Sequence, residues 1–108
     1  MTLNEMAKTS YETAKKRMEN GGHISTDTRA MLKHCATEVV EATEAYQECI
    51  LCNEEDSSSV EAHFASELAD IICCCTIIAG VENIDLDKAV ADCLEKNRRR
   101  AEKTGDKL

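Results

Sequence analysis

The sequence predicts an all-α fold, a four-helix bundle completed by oligomerisation, and three observations lead to it. Charged residues make up 31% of the 108-residue chain and aromatics only 3%, with four glycines and no proline. That balance suits helices joined by short turns and is poor for a sheet, which favours β-branched and aromatic residues. Leu32, Cys35, Val39, Ala42, Tyr46, Cys49 and Ile50 recur at spacings that put them on one helix face. From Leu68 to Ala79, by contrast, a helix would be apolar on every side and must be surrounded. Three other helices in so short a chain hardly cover it, so a second subunit is expected to, through a two-fold interface in a homodimer or homotetramer.

The first helix is expected from about Leu3 to Glu19, stopped by Asn20-Gly21-Gly22. Ser25, Thr26 and Asp27 offer caps for a second helix running to about Asn53. The polar cluster "NEEDSSS" ends it, and a third helix starts after Ser58 or Ser59 and closes near Gly80. Asp85 caps a fourth helix, Asp87 sits favourably at its positive end, and the helix reaches Ala101. Residues 1–108 form a single domain with a basic tail over 101–108.

Net charge is −8, which argues against a nucleic-acid binder, since phosphates are met with lysine and arginine. The charge is uneven: residues 1–92 carry −11 and residues 93–108 carry +3. An acidic body with a basic tail can hold a phosphorylated ligand through metal ions at one end and ion pairs at the other. The N-terminus has no apolar signal core and no segment reaches the roughly 20 apolar residues of a membrane span. A cytoplasmic protein without a membrane partner is expected, its thiols reduced.

Two carboxylate pairs stand out, Glu38 with Glu41 and Glu67 with Asp70. Positions i and i+3 lie about 60° apart on a helix and point the same way. Many such pairs are solvated surface charge, but Glu67 and Asp70 adjoin the longest apolar run, where unpaired acids are costly. If the second and third helices pack antiparallel, the pairs face each other and offer four carboxylates to a hard cation, Mg²⁺ or Mn²⁺. Cysteine is the rival chemistry. Cys73, Cys74 and Cys75 point in three directions and cannot ligate one ion from a regular helix. Cys49 and Cys52 have zinc-like spacing but no second pair, leaving His63 as the sole completing residue. Burial as small hydrophobes is the simpler reading, with Cys74 beneath the acids. A di-iron bundle needs Glu-x-x-His twice, yet Asn20, Met31 and Val60 stand three before the histidines.

Glu38-x-x-Glu41, 25 intervening residues and Glu67-x-x-Asp70 resemble the metal signature of the MazG-like all-α nucleoside triphosphate pyrophosphohydrolases. "IDLDKAV" resembles the start of that family's last helix, and "KNRRR" with "KTGDK" its closing Asn-x-x-Arg and Lys-x-Gly-x-Lys pattern. "TLNEMAK" resembles small stand-alone members. The resemblance implies that Glu38, Glu41, Glu67 and Asp70 hold Mg²⁺, with Mn²⁺ a substitute, and that Asn97 and Arg100 bind phosphate. Lys103 and Lys107 match basic residues of the tail. Where the family usually has a lysine four before the asparagine this chain has Cys93, and Lys96 stands in from the next turn. Base recognition is expected from the first helix and the "GGHIS" loop.

The implied reaction is hydrolysis of an NTP or dNTP to the monophosphate and pyrophosphate. Carboxylate-held metal would activate water for attack at the α-phosphorus, with Glu38 or Glu41 accepting its proton, in a house-cleaning or pool-adjusting role. Phosphoribosyl-ATP pyrophosphohydrolase is an alternative within the fold, which the Asn-x-x-Arg tail disfavours. A catalytically silent helical dimer that binds nucleotides or a protein partner is another, kept open by Cys93.

Overall fold

The computed structural model describes residues 1–22 and 25–103. His23 and Ile24 of the expected base-recognition loop, and the tail from Thr104 with Lys107, lie outside them. Four helices follow in order, α1 (Leu3–Glu19), α2 (Thr28–Leu51), α3 (Ser57–Val81) and α4 (Leu86–Ala101), with no strand among the described residues.

The helix ends follow local chemistry. Thr2 caps α1 by accepting from Glu5 N, Asp27 caps α2 through Ala30 N, and Asp85 caps α4 through Lys88 N. α1 ends in a Schellman turn: Gly21, at φ +81°, donates to the Met18 carbonyl and Gly22 to that of Arg17. Asn83 does the same work after α3, at φ 53°, with Ile84 N donating to the Ala79 carbonyl. α2 stops at Leu51, two residues before the expected end, and α3 starts at Ser57, slightly earlier than expected and without a side-chain cap.

α3 is the centre, with α1 and α2 both antiparallel to it. Against α2, Tyr46 meets Phe64 with ring centroids 5.4 Å apart, and Cys49 Sγ donates to the Val60 carbonyl at 3.4 Å. Farther along, Met31, Cys74, Ile77 and Ala14 form the core. Against α1 the approach is close because both faces are small. Ala7 and Ala14 are buried, and a Cβ on Gly80 would lie 2.7 Å from the Ala7 carbonyl oxygen. Thr76 donates to the Cys73 carbonyl and lies 2.9 Å from the Ser10 hydroxyl.

α4 touches the bundle chiefly where α1 begins, and the two N-termini cap each other. Asn4 Oδ1 accepts from Leu86 N and Asp87 N, while Asp87 accepts from Leu3 N and Asn4 N. Asn4 Nδ2 also donates to Asp85 at 3.0 Å; that bond, followed by the one from Lys88 N, holds the Asp85 carboxyl below its usual pKa. Beyond this anchor α4 has no buried residue.

Two expectations need correction. The apolar stripe of α2 does not face one core: Ala42 is buried and Cys35 and Cys49 half-buried, but Leu32, Val39, Tyr46 and Ile50 are exposed. The apolar arc is wider than the one neighbour, α3, that α2 packs against in a single chain. By length and composition alone α3 could also cross a membrane, although Glu67 and Asp70 interrupt its apolar run.

Candidate metal and phosphate site

Antiparallel packing of α2 on α3 brings the two carboxylate pairs to the same level. Ligand oxygens of Glu38, Glu67 and Asp70 all lie within 4.8 Å of one another. Glu38 is the most enclosed, only 8% exposed. Its Oε2 and Glu67 Oε2 are buried without any hydrogen-bond partner. A buried carboxylate oxygen left bare costs the full desolvation of that group, so a cation is the natural complement. The donor set is all oxygen, which fits a hard divalent ion.

The neighbouring acids act on Glu38. Burial first, and then the charges of Glu41 and Asp70, raise the Glu38 pKa, with His34 opposing them. Glu41 is exposed and its charge acts on Glu38, so it flanks the cluster of three. Glu38 Oε1 is 2.9 Å from His34 Nε2, and Glu67 Oε1 is 3.2 Å from His63 Nε2.

A cavity of ≈ 340 Å³ opens beside the acids. Glu38, Asp70 and His34 form its polar wall, Met31, Cys74 and Ile77 its floor, and Arg17 reaches it from the end of α1. Sequence reasoning missed Arg17 and His34, and gave His63 a place only beside Cys49 and Cys52. The signal for both is in the sequence, since each histidine stands four residues before a signature acid, one helical turn away on the same face.

Of the three adjacent cysteines only Cys74 packs inside the chain. Cys73 and Cys75 are exposed, which corrects the expected burial of all three, because α1 and α2 cover only part of the surface of α3. Cys74 is buried, donates toward the Met31 carbonyl at 3.7 Å, and has its pKa pushed up to about 12, chiefly by burial. It stays a thiol at neutral pH. Cys49 and Cys52 donate to the carbonyls of Val60 and Cys49.

The α4 residues form a separate group. Lys96, Arg100 and Lys103 line a cleft of ≈ 440 Å³ with Asp92, Glu95 and Arg99. Glu95 binds Arg98 and Arg99, and Arg98 also pairs with Glu102. Lys96 and Arg100 have no ion-pair partner among the described residues. Asn97 Nδ2 lies 3.9 Å from Cys93 Sγ. None of these residues lines the cavity beside Glu38 and Asp70.

Comparison with known proteins identifies the family of the sequence. No curated protein and no solved structure gives a match. The sequence model of the MazG nucleotide pyrophosphohydrolase domain matches residues 26–105, which hold all four acids and α4. The chain belongs to the MazG nucleotide pyrophosphohydrolases, hydrolases of phosphoric anhydride bonds.

Proposed function

We propose that the protein hydrolyses a nucleoside or deoxynucleoside triphosphate to the monophosphate and pyrophosphate in a Mg²⁺-dependent reaction. The observation that carries this is the pair of buried, unpartnered oxygens, Glu38 Oε2 and Glu67 Oε2, beside Asp70. Glu38, Glu67 and Asp70, with Glu41 beside them, hold the metal. Bound there, Mg²⁺, or Mn²⁺ in its place, neutralises the triphosphate and lowers the pKa of a water.

The chain's own groups do the rest. Glu41, open to solvent and outside the group of three, is the better placed of the two glutamates to accept the water's proton, because Glu38 is enclosed and engaged by His34. The cavity between Arg17 and the acids receives the nucleoside, its apolar floor taking ring or sugar surface. Lys96, Asn97, Arg100 and Lys103 bind the departing phosphates. Since none of them lines the cavity of its own chain, that role calls for α4 of a second copy. The exposed apolar residues of α2 and α3 give such a copy a surface to cover. Function in the cytoplasm, on free nucleotides, fits this reading.

A panel of NTPs and dNTPs with Mg²⁺, assayed for pyrophosphate, tests it. Turnover of at least one nucleotide is expected, falling by about 10²-fold or more in Glu67→Gln and Asp70→Asn. Turnover that survives both substitutions removes the site assignment. Tight nucleotide binding without hydrolysis makes the protein a silent binding module instead.

A further inference from the structure

Each glutamate of the cluster, buried Glu38 and half-buried Glu67, has a histidine one turn before it on its own helix. His34 precedes Glu38 on α2, and His63 precedes Glu67 on α3. Helical side chains lean toward the N-terminus, so an acid at i+4 reaches back over the residue at i. The two contacts use the same atoms. His34 Nε2 lies 2.9 Å from Glu38 Oε1, and His63 Nε2 lies 3.2 Å from Glu67 Oε1. In both carboxylates the other oxygen, Oε2, is buried and bare.

A surface His–Glu pair is weak and leaves both oxygens in water. Here the oxygens divide the same way on two helices, one within 3.2 Å of an imidazole nitrogen and one buried and bare. The histidine side chains are themselves 55% and 50% exposed, so neither is there to fill the core. His63 Nδ1 also lies 3.4 Å from Glu48 Oε2 of α2.

We propose that His34 and His63 are positioning residues for the metal site. With its proton on Nε2, each imidazole donates to one carboxylate oxygen and stops the carboxylate from rotating. The other oxygen is thereby held inward, toward the cation. Supporting hydrogen bonds of this kind are worth about 10–100-fold in metal affinity. The inference rests on the metal reading of the acid cluster, and the test separates the two.

Binding of Mn²⁺ to the metal-free full chain, followed by the paramagnetic signal of the free ion, is compared in wild type, His34→Ala, His63→Ala, His34→Gln and His63→Gln. The alanine variants should bind about 10-fold more weakly or worse. Glutamine, whose amide N–H can replace the imidazole donor, should recover affinity to within about threefold of wild type. Metal-free melting should stay level across all five proteins, since half-exposed side chains are being exchanged. Wild-type affinity in both alanine variants overturns the proposal, as does equal loss in alanine and glutamine. Nitrogen-14 modulation in the spin echo of bound Mn²⁺, lost in either alanine variant, also overturns it by making the imidazole a direct ligand. A wild-type chain that binds no Mn²⁺ overturns the metal reading itself.

Discussion

Glu38 concentrates the chemistry at the scale of single residues. Enclosure, with Glu41 and Asp70 alongside, raises its pKa above the ordinary carboxylate value of 4.5. The folded metal-free chain therefore binds this proton more tightly than the unfolded one. The resulting stabilisation is full below the ordinary value and is lost as pH rises through the raised one. Above that raised value the metal-free protein has to keep the Glu38 carboxylate charged in an enclosed place beside Glu41 and Asp70. Glu38→Gln should then stabilise the metal-free protein by on the order of 1 kcal/mol. That corresponds to roughly 4–8 °C in melting temperature for a small domain. The same variant should lose the rise in melting temperature that Mg²⁺ gives the wild type. Unchanged metal-free melting together with a retained Mg²⁺ response would contradict the account of the site. The acids were legible in the sequence as two i, i+3 pairs. The histidines stand outside those pairs, one turn before each glutamate, and Arg17 reaches the cavity only through the way α1 lies on the helix pair.

Close approach decides the scale of elements. α1 and α3 meet through Ala7, Tyr11 and Gly80, and an added Cβ at Gly80 would stand 2.6 Å from Tyr11 Cβ and 2.7 Å from the Ala7 oxygen. A backbone oxygen cannot yield as a flexible side chain can, so Gly80→Ala should push the helices apart. We expect a loss of about 1–3 kcal/mol, read as a lower urea midpoint at unchanged slope. The sequence marked Gly80 only as a place to end a helix, whereas α3 runs through it to Val81. Local signals served better where the chemistry is local. Asn20-Gly21-Gly22 and Asp85 do in the structure what their residue types predict, because a turn at positive φ and an oxygen over open N–H groups are satisfied within a few residues. The capping of α4 by Asn4 joins residues more than 80 apart and carried no such signal.

At the scale of the whole molecule, the chain leaves apolar surface without a neighbour. Ile50 is 63% exposed, Ile72 51% and Leu94 65%, on three different helices, and α4 has nothing buried at all. Light scattering at micromolar concentration should give a multiple of the 11.9 kDa chain mass. Ile72→Asp, which places a charge amid that surface, should shift the protein toward the single chain and lower turnover with it. A wild-type monomer with full turnover would contradict this reading. By itself the sequence determined the helical class, the four elements and the four acids, because helix propensity, capping and i, i+3 spacing act within one or two turns. Only the tertiary structure decided which acids meet, which of their oxygens are left bare, and that the basic face of α4 stands apart from them. Those are properties of distance between segments remote in the chain, and no local periodicity encodes them.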